Sequence, residues 1–216
     1  LEKPFAPDRL LALVERALQF ATLRRKNETL KLTLAEDVET FGMIGRDPKM
    51  LKIIETIRTA APSGASVLIE GESGTGKELI ATAFHTQSLR ASGPFIRINC
   101  AAIPHELIES ELFGYKKGAF TGADRNKRGL IEAASEGTLL LDEIAEMPAH
   151  LQTKLLRVLQ ERKLRRLGDE REIHVNFRLV SATNRNTVAL LEEGVLRKDL
   201  YFRISTIKIK VPPLRE

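Results

Sequence analysis

The sequence predicts an α/β fold, a parallel five-stranded sheet between helices, preceded by a long linker helix. Three observations predict it. From about Met43 onward, short apolar strand-like runs alternate with helical patterns. A glycine-rich loop stands directly between the first strand and the next helix. Residues 8–34 contain no Gly or Pro and keep a helical apolar spacing. Strands alternating with helices imply a parallel sheet covered on both faces.

Taken in order, residues 1–40 come first. Pro7 can occupy a first helical turn. Leu13, Phe20, Leu23, Leu30 and Leu34, with Arg16 and Asn27 filling the gaps, alternate by three and four as a coiled-coil seam does. A single core Asn fixes two-stranded register in such seams. The run covers only about three heptads, so a helix packed on its own domain is the other reading. Ala35–Gly42 is acidic and aperiodic and reads as a linker. The division is therefore 1–40, linker helix, and 41–216, the α/β core. Within the core, strands are expected at Ser66–Glu70, Pro94–Cys100, Thr138–Leu141, Asn176–Ala182 and Thr206–Val211. Helices are expected at Lys49–Ala60, Gly76–Ser88, Pro104–Leu112 and Ala149–Glu161.

Composition narrows the class. The chain has 216 residues, 43% hydrophobic and 29% charged, the profile of a globular protein that buries a sizeable core. The single cysteine, Cys100, excludes a disulfide framework and a cysteine zinc cluster. No apolar run is long enough to span a membrane, and the first residues lack a signal-peptide pattern, so a cytoplasmic location with no membrane partner is expected. The net charge is +5, and all the excess lies beyond Thr40, because residues 1–40 carry seven bases and seven acids. Tyr115–Arg128 and Arg157–Arg171 are the basic runs. They could meet an acidic partner or nucleic acid, though a solvated surface is the commoner cause.

The strongest signal is Gly71, Glu72, Ser73, Gly74, Thr75, Gly76 and Lys77, a G-x-x-x-x-G-K loop between a strand and a helix. Its glycines let successive N–H groups face phosphate oxygens, the helix adds its positive end, and Lys77 reaches the β- and γ-phosphates. The next residue is Glu78, where Ser or Thr usually ligates Mg²⁺, so the metal must lean on another oxygen. Thr138–Leu141 runs into Asp142 and Glu143, an apolar strand ending in two acids. Asp142 suits Mg²⁺, and Glu143 suits the base that orients the attacking water. The strand at Pro94–Cys100 lies between the two motifs in sequence and is expected to separate their strands in the sheet. Asn99 and Asn184 end strands and are expected beside Glu143, where open α/β sheets bind ligands.

Gly118, Ala119, Phe120, Thr121, Gly122 and Ala123 spell GAFTGA. Together with GESGTGKE, LLLDEI and SATN, this hexapeptide resembles the AAA+ domain of bacterial enhancer-binding proteins, the NtrC-type activators of sigma-54 RNA polymerase. The resemblance runs from about Met43 to Glu216. It implies a P-loop NTPase of the AAA+ class that hydrolyses ATP with Mg²⁺, assembles as a hexamer or heptamer ring, and remodels the sigma-54 holoenzyme through the GAFTGA loop. Ile44, Gly45 and Leu79 join the phosphate loop and Glu78 in binding nucleotide. Asn99 resembles a switch residue bonded to Glu143, and Asn184 a γ-phosphate sensor. Arg197 and Arg203 match two arginine fingers donated to a neighbouring subunit; without the family they read as surface ion pairs. Lys3-Pro4-Phe5 and the helix after it resemble the end of a response-regulator receiver domain running into a dimerising linker, which implies two-component control. Enhancer DNA would be bound only through a C-terminal domain outside this sequence. Two other readings are a nucleotide-dependent scaffold without turnover and a DNA-translocating ATPase of the same superfamily. The intact Glu143 argues against the first, and the hexapeptide against the second.

Overall fold

A computed structural model of the protein describes residues 41–43 and 47–213. The linker helix, its seam and the receiver-like start, with Ile44 and Gly45, lie outside the described residues. Gly45–Glu216 forms a compact unit of its own.

The expected sheet is present. Strands β1 (Val67–Glu70), β2 (Phe95–Asn99), β5 (Thr138–Asp142), β8 (Arg178–Thr183) and β9 (Ile207–Lys210) are all parallel, in the order β2-β5-β8-β1-β9. The central strands are buried along nearly their whole length, whereas edge strands β2 and β9 are buried only in part. That contrast is why the central strands read as continuous apolar runs. One expectation is corrected by this order. The strand between the phosphate-loop strand β1 and the acid-bearing strand β5 is β8, not β2. Chain order gives no spatial order when every connection crosses over, and the chain enters the middle of the sheet last but one.

Helices α1 (Pro48–Ala60), α2 (Lys77–Thr86), α3 (His105–Phe113) and α5 (Ala149–Glu161) fall where their periodicity placed them, within two residues. Asp47 caps α1 by accepting the Lys49 N–H at 2.7 Å, with Pro48 in the first turn. One face of the sheet presents Leu68, Leu139, Leu141 and Leu179 to Ile108 and Leu112 of α3 and Leu151, Leu155 and Leu159 of α5. The alternate residues Val67, Leu140 and Val180 are equally buried and in register with one another, so they line the opposite face.

Seven elements were not expected from the sequence: hairpin strands β3 (Gly114–Tyr115) with β4 (Lys127–Arg128), hairpin strands β6 (Lys163–Arg165) with β7 (Glu172–His174), and the short helices α4 (Leu130–Ala133), α6 (Thr187–Glu192) and α7 (Lys198–Ile204). Each is too short to establish a period. The two hairpins are laced to each other, the Lys116 N–H donating to Leu167 O at 3.0 Å and the Leu167 N–H to Gly114 O at 2.9 Å.

Candidate active site

The phosphate loop leaves β1 at Gly71 and enters α2 at Lys77. Gly74 (φ +77°) and Gly76 (φ +85°) hold left-handed backbone that a side chain would strain. A Cβ on Gly71 would sit 2.9 Å from both Thr75 Oγ1 and Val211 Cβ. Thr75 Oγ1 instead donates to Glu72 O at 2.8 Å and braces the turn. Ser73 and Gly74 lie exposed at its crest. No side chain caps α2, so the N–H groups of its first turn are left to a ligand.

Lys77 is 8% exposed, and its Nζ curls back over the loop to donate to Gly71 O at 3.0 Å and Glu72 O at 3.1 Å. It also stands 3.8 Å from Glu143 Oε1. The second Glu143 oxygen, Oε2, accepts the Asn184 backbone N–H at 3.0 Å. Glu143 thus hangs between the lysine of the phosphate loop and the end of β8. Its own backbone is left-handed, φ +50° and ψ +51°, a conformation that costs a non-glycine residue about 1–2 kcal/mol. Asp142 Oδ1 accepts the Glu143 N–H at 3.0 Å and helps to hold that turn. Strain concentrated at this residue fits a group held for chemistry rather than for stability.

A polar triad of buried Glu70 and Thr187 with the more exposed Lys208 adjoins the start of the loop. Glu70, the residue before Gly71, accepts from Thr187 Oγ1 at 2.8 Å and pairs with Lys208 Nζ at 3.1 Å. Lys208 Nζ also donates to Thr187 Oγ1 at 2.7 Å. β1, β9 and the segment following Asn184 are thereby pinned together. Burial pushes the Glu70 carboxyl up, but the bonds from Thr187 and Lys208 outweigh it and leave the carboxyl below its ordinary value. Sequence reasoning missed this triad, because nothing local marks a Thr and a Lys more than a hundred residues from Glu70.

Glu78 turns away from the loop and pairs with Arg97 of β2 at 2.6 Å. Asp142 and Glu143 are the carboxylates at the end of β5, with Glu143 turned to Lys77 and Asp142 making no ion pair among the described residues. Mg²⁺ keeps several waters and takes one or two carboxylates plus substrate phosphates, so this donor set fits it. Cys100 is buried close by. Burial, then the negative charges of Asp142, Glu143 and Glu146, push its thiol up to about 12, which leaves it inert. Leu79 is 46% exposed, and a Cβ on Gly76 would lie 3.7 Å from its Cδ1.

Asn99 departs from its expected partner. It lies opposite Asp142 in the β2–β5 register, but its Oδ1 accepts the Ala101 N–H at 2.9 Å and caps the turn after β2. A short polar side chain at a strand end takes the nearest orphan donor. Likewise Asn184 reaches Glu143 through its backbone rather than its amide. Arg197 precedes the first turn of α7, where its guanidinium grips Asp199 through two bonds of 3.0 and 2.7 Å. Arg203, in the last turn of α7, donates to Leu159 O at 2.9 Å.

The GAFTGA segment is a compact loop at the head of the β3–β4 hairpin, closed by the Gly118 N–H donating to Ala123 O at 2.9 Å. Gly118 and Gly122 both take positive φ, and between them Phe120 and Thr121 are exposed. Phe120 rests edge-on against Tyr115, ring centroids 5.0 Å apart. Ala119 abuts the β6–β7 loop so closely that a Cβ on Gly168 would lie 2.7 Å from its own. Six of the eleven bases in the two basic runs pair with carboxylates: Lys116 with Asp169, Lys127 with Glu111, Arg128 and Arg166 with Glu132, and Lys163 and Arg165 with Glu172.

Residues 43–210 match the family of the Sigma-54 interaction domain. The chain belongs to this family. This sigma-54 interaction domain is 50% identical over 214 residues to the Regulatory protein AtoC of Escherichia coli (strain K12), covering 99% of this chain and 46% of that protein. It is 46% identical over 216 residues to the DNA-binding transcriptional regulator NtrC of Salmonella typhimurium, covering 100% of this chain and 45% of that protein. Among solved structures, NtrX from Brucella abortus in complex with ATP superposes with a TM-score of 0.74 at 38% identity, over 99% of this chain and 44% of that one. The fold is that of the P-loop AAA+ NTPases. The chain spans a little under half the length of these relatives. Among the described residues, no helix is long and apolar enough to cross a membrane.

Proposed function

We propose that this sigma-54 interaction domain is the ATP-hydrolysing core of a cytoplasmic, sigma-54-dependent transcriptional activator under two-component control. The observation that supports it most is the convergence of Lys77, Glu143 and the Asn184 N–H on one point at the carboxyl ends of β5 and β8. The phosphate loop and the open first turn of α2 hold the triphosphate, and Lys77 exchanges its two loop carbonyls for phosphate oxygens. Its withdrawal leaves Glu143 held by Asn184, with Oε1 free to orient a water and accept its proton. Asp142 would hold Mg²⁺, which supplies neutralising charge to the phosphate oxygens. Ile44, Gly45 and Leu79 are assigned to nucleotide binding. Asn99 is assigned the switch role and Asn184 the sensing of the γ-phosphate.

Arg197 and Arg203 act on the ATP of the next subunit in a ring, where a planar guanidinium stabilises charge on the transferred phosphoryl group. Phe120 and Thr121, exposed on a glycine-hinged loop, contact the sigma-54 holoenzyme. Residues 1–40 are the end of a receiver domain and a dimerising linker helix and 41–216 the core, while enhancer DNA is left to a further domain. Sedimentation with and without an ATP transition-state analogue tests assembly. The protein should shift to a ring-sized species with the analogue; an unchanged species with the analogue demonstrably bound would refute the assembly.

A further inference from the structure

α5 starts six residues after Glu143, and its buried face, otherwise apolar (Leu151, Leu155, Leu156, Val158 and Leu159), carries one polar side chain into the interior. Gln152 is fully buried, 0% exposed. Its amide nitrogen donates to Met147 O at 2.9 Å and Val195 O at 2.8 Å, while its amide oxygen accepts the Arg197 backbone N–H at 3.0 Å. Only one orientation of the amide satisfies two carbonyls and one N–H, so the three partners fix it. A leucine would fill the same volume, but it would orphan all three backbone groups.

The partners belong to two separate segments. Met147 ends the short turn Ile144–Glu146 that leaves the Asp142–Glu143 strand end. Val195 and Arg197 form the entry to α7. A second tie lies two turns along α5 on the same face, where Leu159 O accepts the Arg203 guanidinium at 2.9 Å. Arg197 at the start of α7 and Arg203 near its end are therefore both registered on α5, and α5 is itself joined through Pro148 and one short turn to Glu143.

We infer that Gln152 is a positioning residue: it fixes the Arg197 backbone, and so the finger offered to a second copy of the chain, in register with the chain's own Asp142–Glu143 segment. This rests on the proposed action of Arg197 in trans. Gln152 touches neither nucleotide nor reacting atoms in its own subunit. Its loss should misplace what the subunit gives to its neighbour while sparing what it binds itself.

The test uses the full chain with Gln152→Leu and Gln152→Glu. Both variants should bind ATP within about twofold of the parent, which also reports a folded phosphate site, and hydrolyse it at least tenfold more slowly. Mixing either with Lys77→Ala protein, whose fingers are intact, should restore activity at mixed interfaces. Mixing with Arg197→Ala protein, which has no Arg197 finger to lend, should not. Loss of ATP binding in both variants, or the same response to both partners, overturns the inference. Should Lys77→Ala and Arg197→Ala fail to complement each other, the trans reading falls instead. Amide exchange at Arg197 then decides the positioning alone: at least tenfold faster exchange in Gln152→Leu supports it, and an unchanged rate overturns it.

Discussion

Replacing Arg178 by Met should be among the most destabilising single changes in this domain. Arg178 opens β8, is 1% exposed, and has no carboxylate partner among the described residues. Its guanidinium donates to Ala61 O (2.7 Å) and Phe84 O (3.1 Å) in the interior, and to Ala65 O (3.0 Å) and Ala60 O (3.3 Å) nearer the surface. It also lies 5.0 Å from the centre of the Phe84 ring. Ala60 and Phe84 sit in the last turns of α1 and α2, so one side chain caps the negative ends of two helices. Burial, then the nearby Arg90 charge, pushes the guanidinium down to about 10, still charged at neutral pH.

Methionine keeps the stem and removes every donor. The two interior carbonyls are then orphaned at about 1–3 kcal/mol each, whereas the outer two regain water, giving about 4 kcal/mol in all. For a domain of this size that lowers Tm by about 8–16 °C, read by calorimetry on the full chain. Arg178→Lys, which keeps a charge and three donors, should fall between Met and the parent. If Met melted within about 2 °C of the parent or above it, relief from burying an unpaired charge would outweigh the four bonds, and the capping argument would be wrong.

The acid side of the stability curve should report on Glu70. Its folded pKa lies below the ordinary 4.5, so its contribution is complete above about pH 4.5 and is lost as pH falls through the lowered value. Glu70→Gln should flatten that part of a denaturation profile, and an unchanged slope would remove Glu70 from the triad. Lys77→Ala forfeits two charge-assisted bonds to phosphate, about 3–6 kcal/mol, so calorimetric ATP affinity should fall by a factor of about 10² or more. Retained affinity would place the triphosphate elsewhere. In the linker, Leu23→Asp with Leu30→Asp should give monomers by analytical ultracentrifugation; sedimentation like the parent's would make the seam a face packed on its own chain.

What was legible in the sequence follows the range of the interactions. α1, α2, α3 and α5 and the five sheet strands carry their own periodicity, so their places could be read to within about two residues, as helix and strand ends fray. The phosphate loop, Asp142 and Glu143 were legible because a glycine spacing and an apolar strand ending in acids are local patterns. Sheet order was not, since β8 reaches the space between β1 and β5 only after most of the chain has been laid down. Nor was Gln152, whose partners Met147, Val195 and Arg197 straddle two segments that meet only in the fold. The β6–β7 hairpin escaped for a different reason. With only Leu164 and Ile173 apolar, its strands cannot show the alternation by which strands are recognised.

Phosphate release per subunit, measured across protein concentration for the parent and for Glu143→Gln, bears most directly on the proposal that a second chain completes the catalytic site. The parent's specific rate should rise steeply with concentration as subunits associate and then level off. Glu143→Gln, with ATP still bound, should stay at least about a hundredfold lower throughout. A parental rate independent of concentration down to the monomer, or a Gln variant turning over at the parental rate, would contradict Glu143 as the base or Arg197 and Arg203 as fingers given in trans.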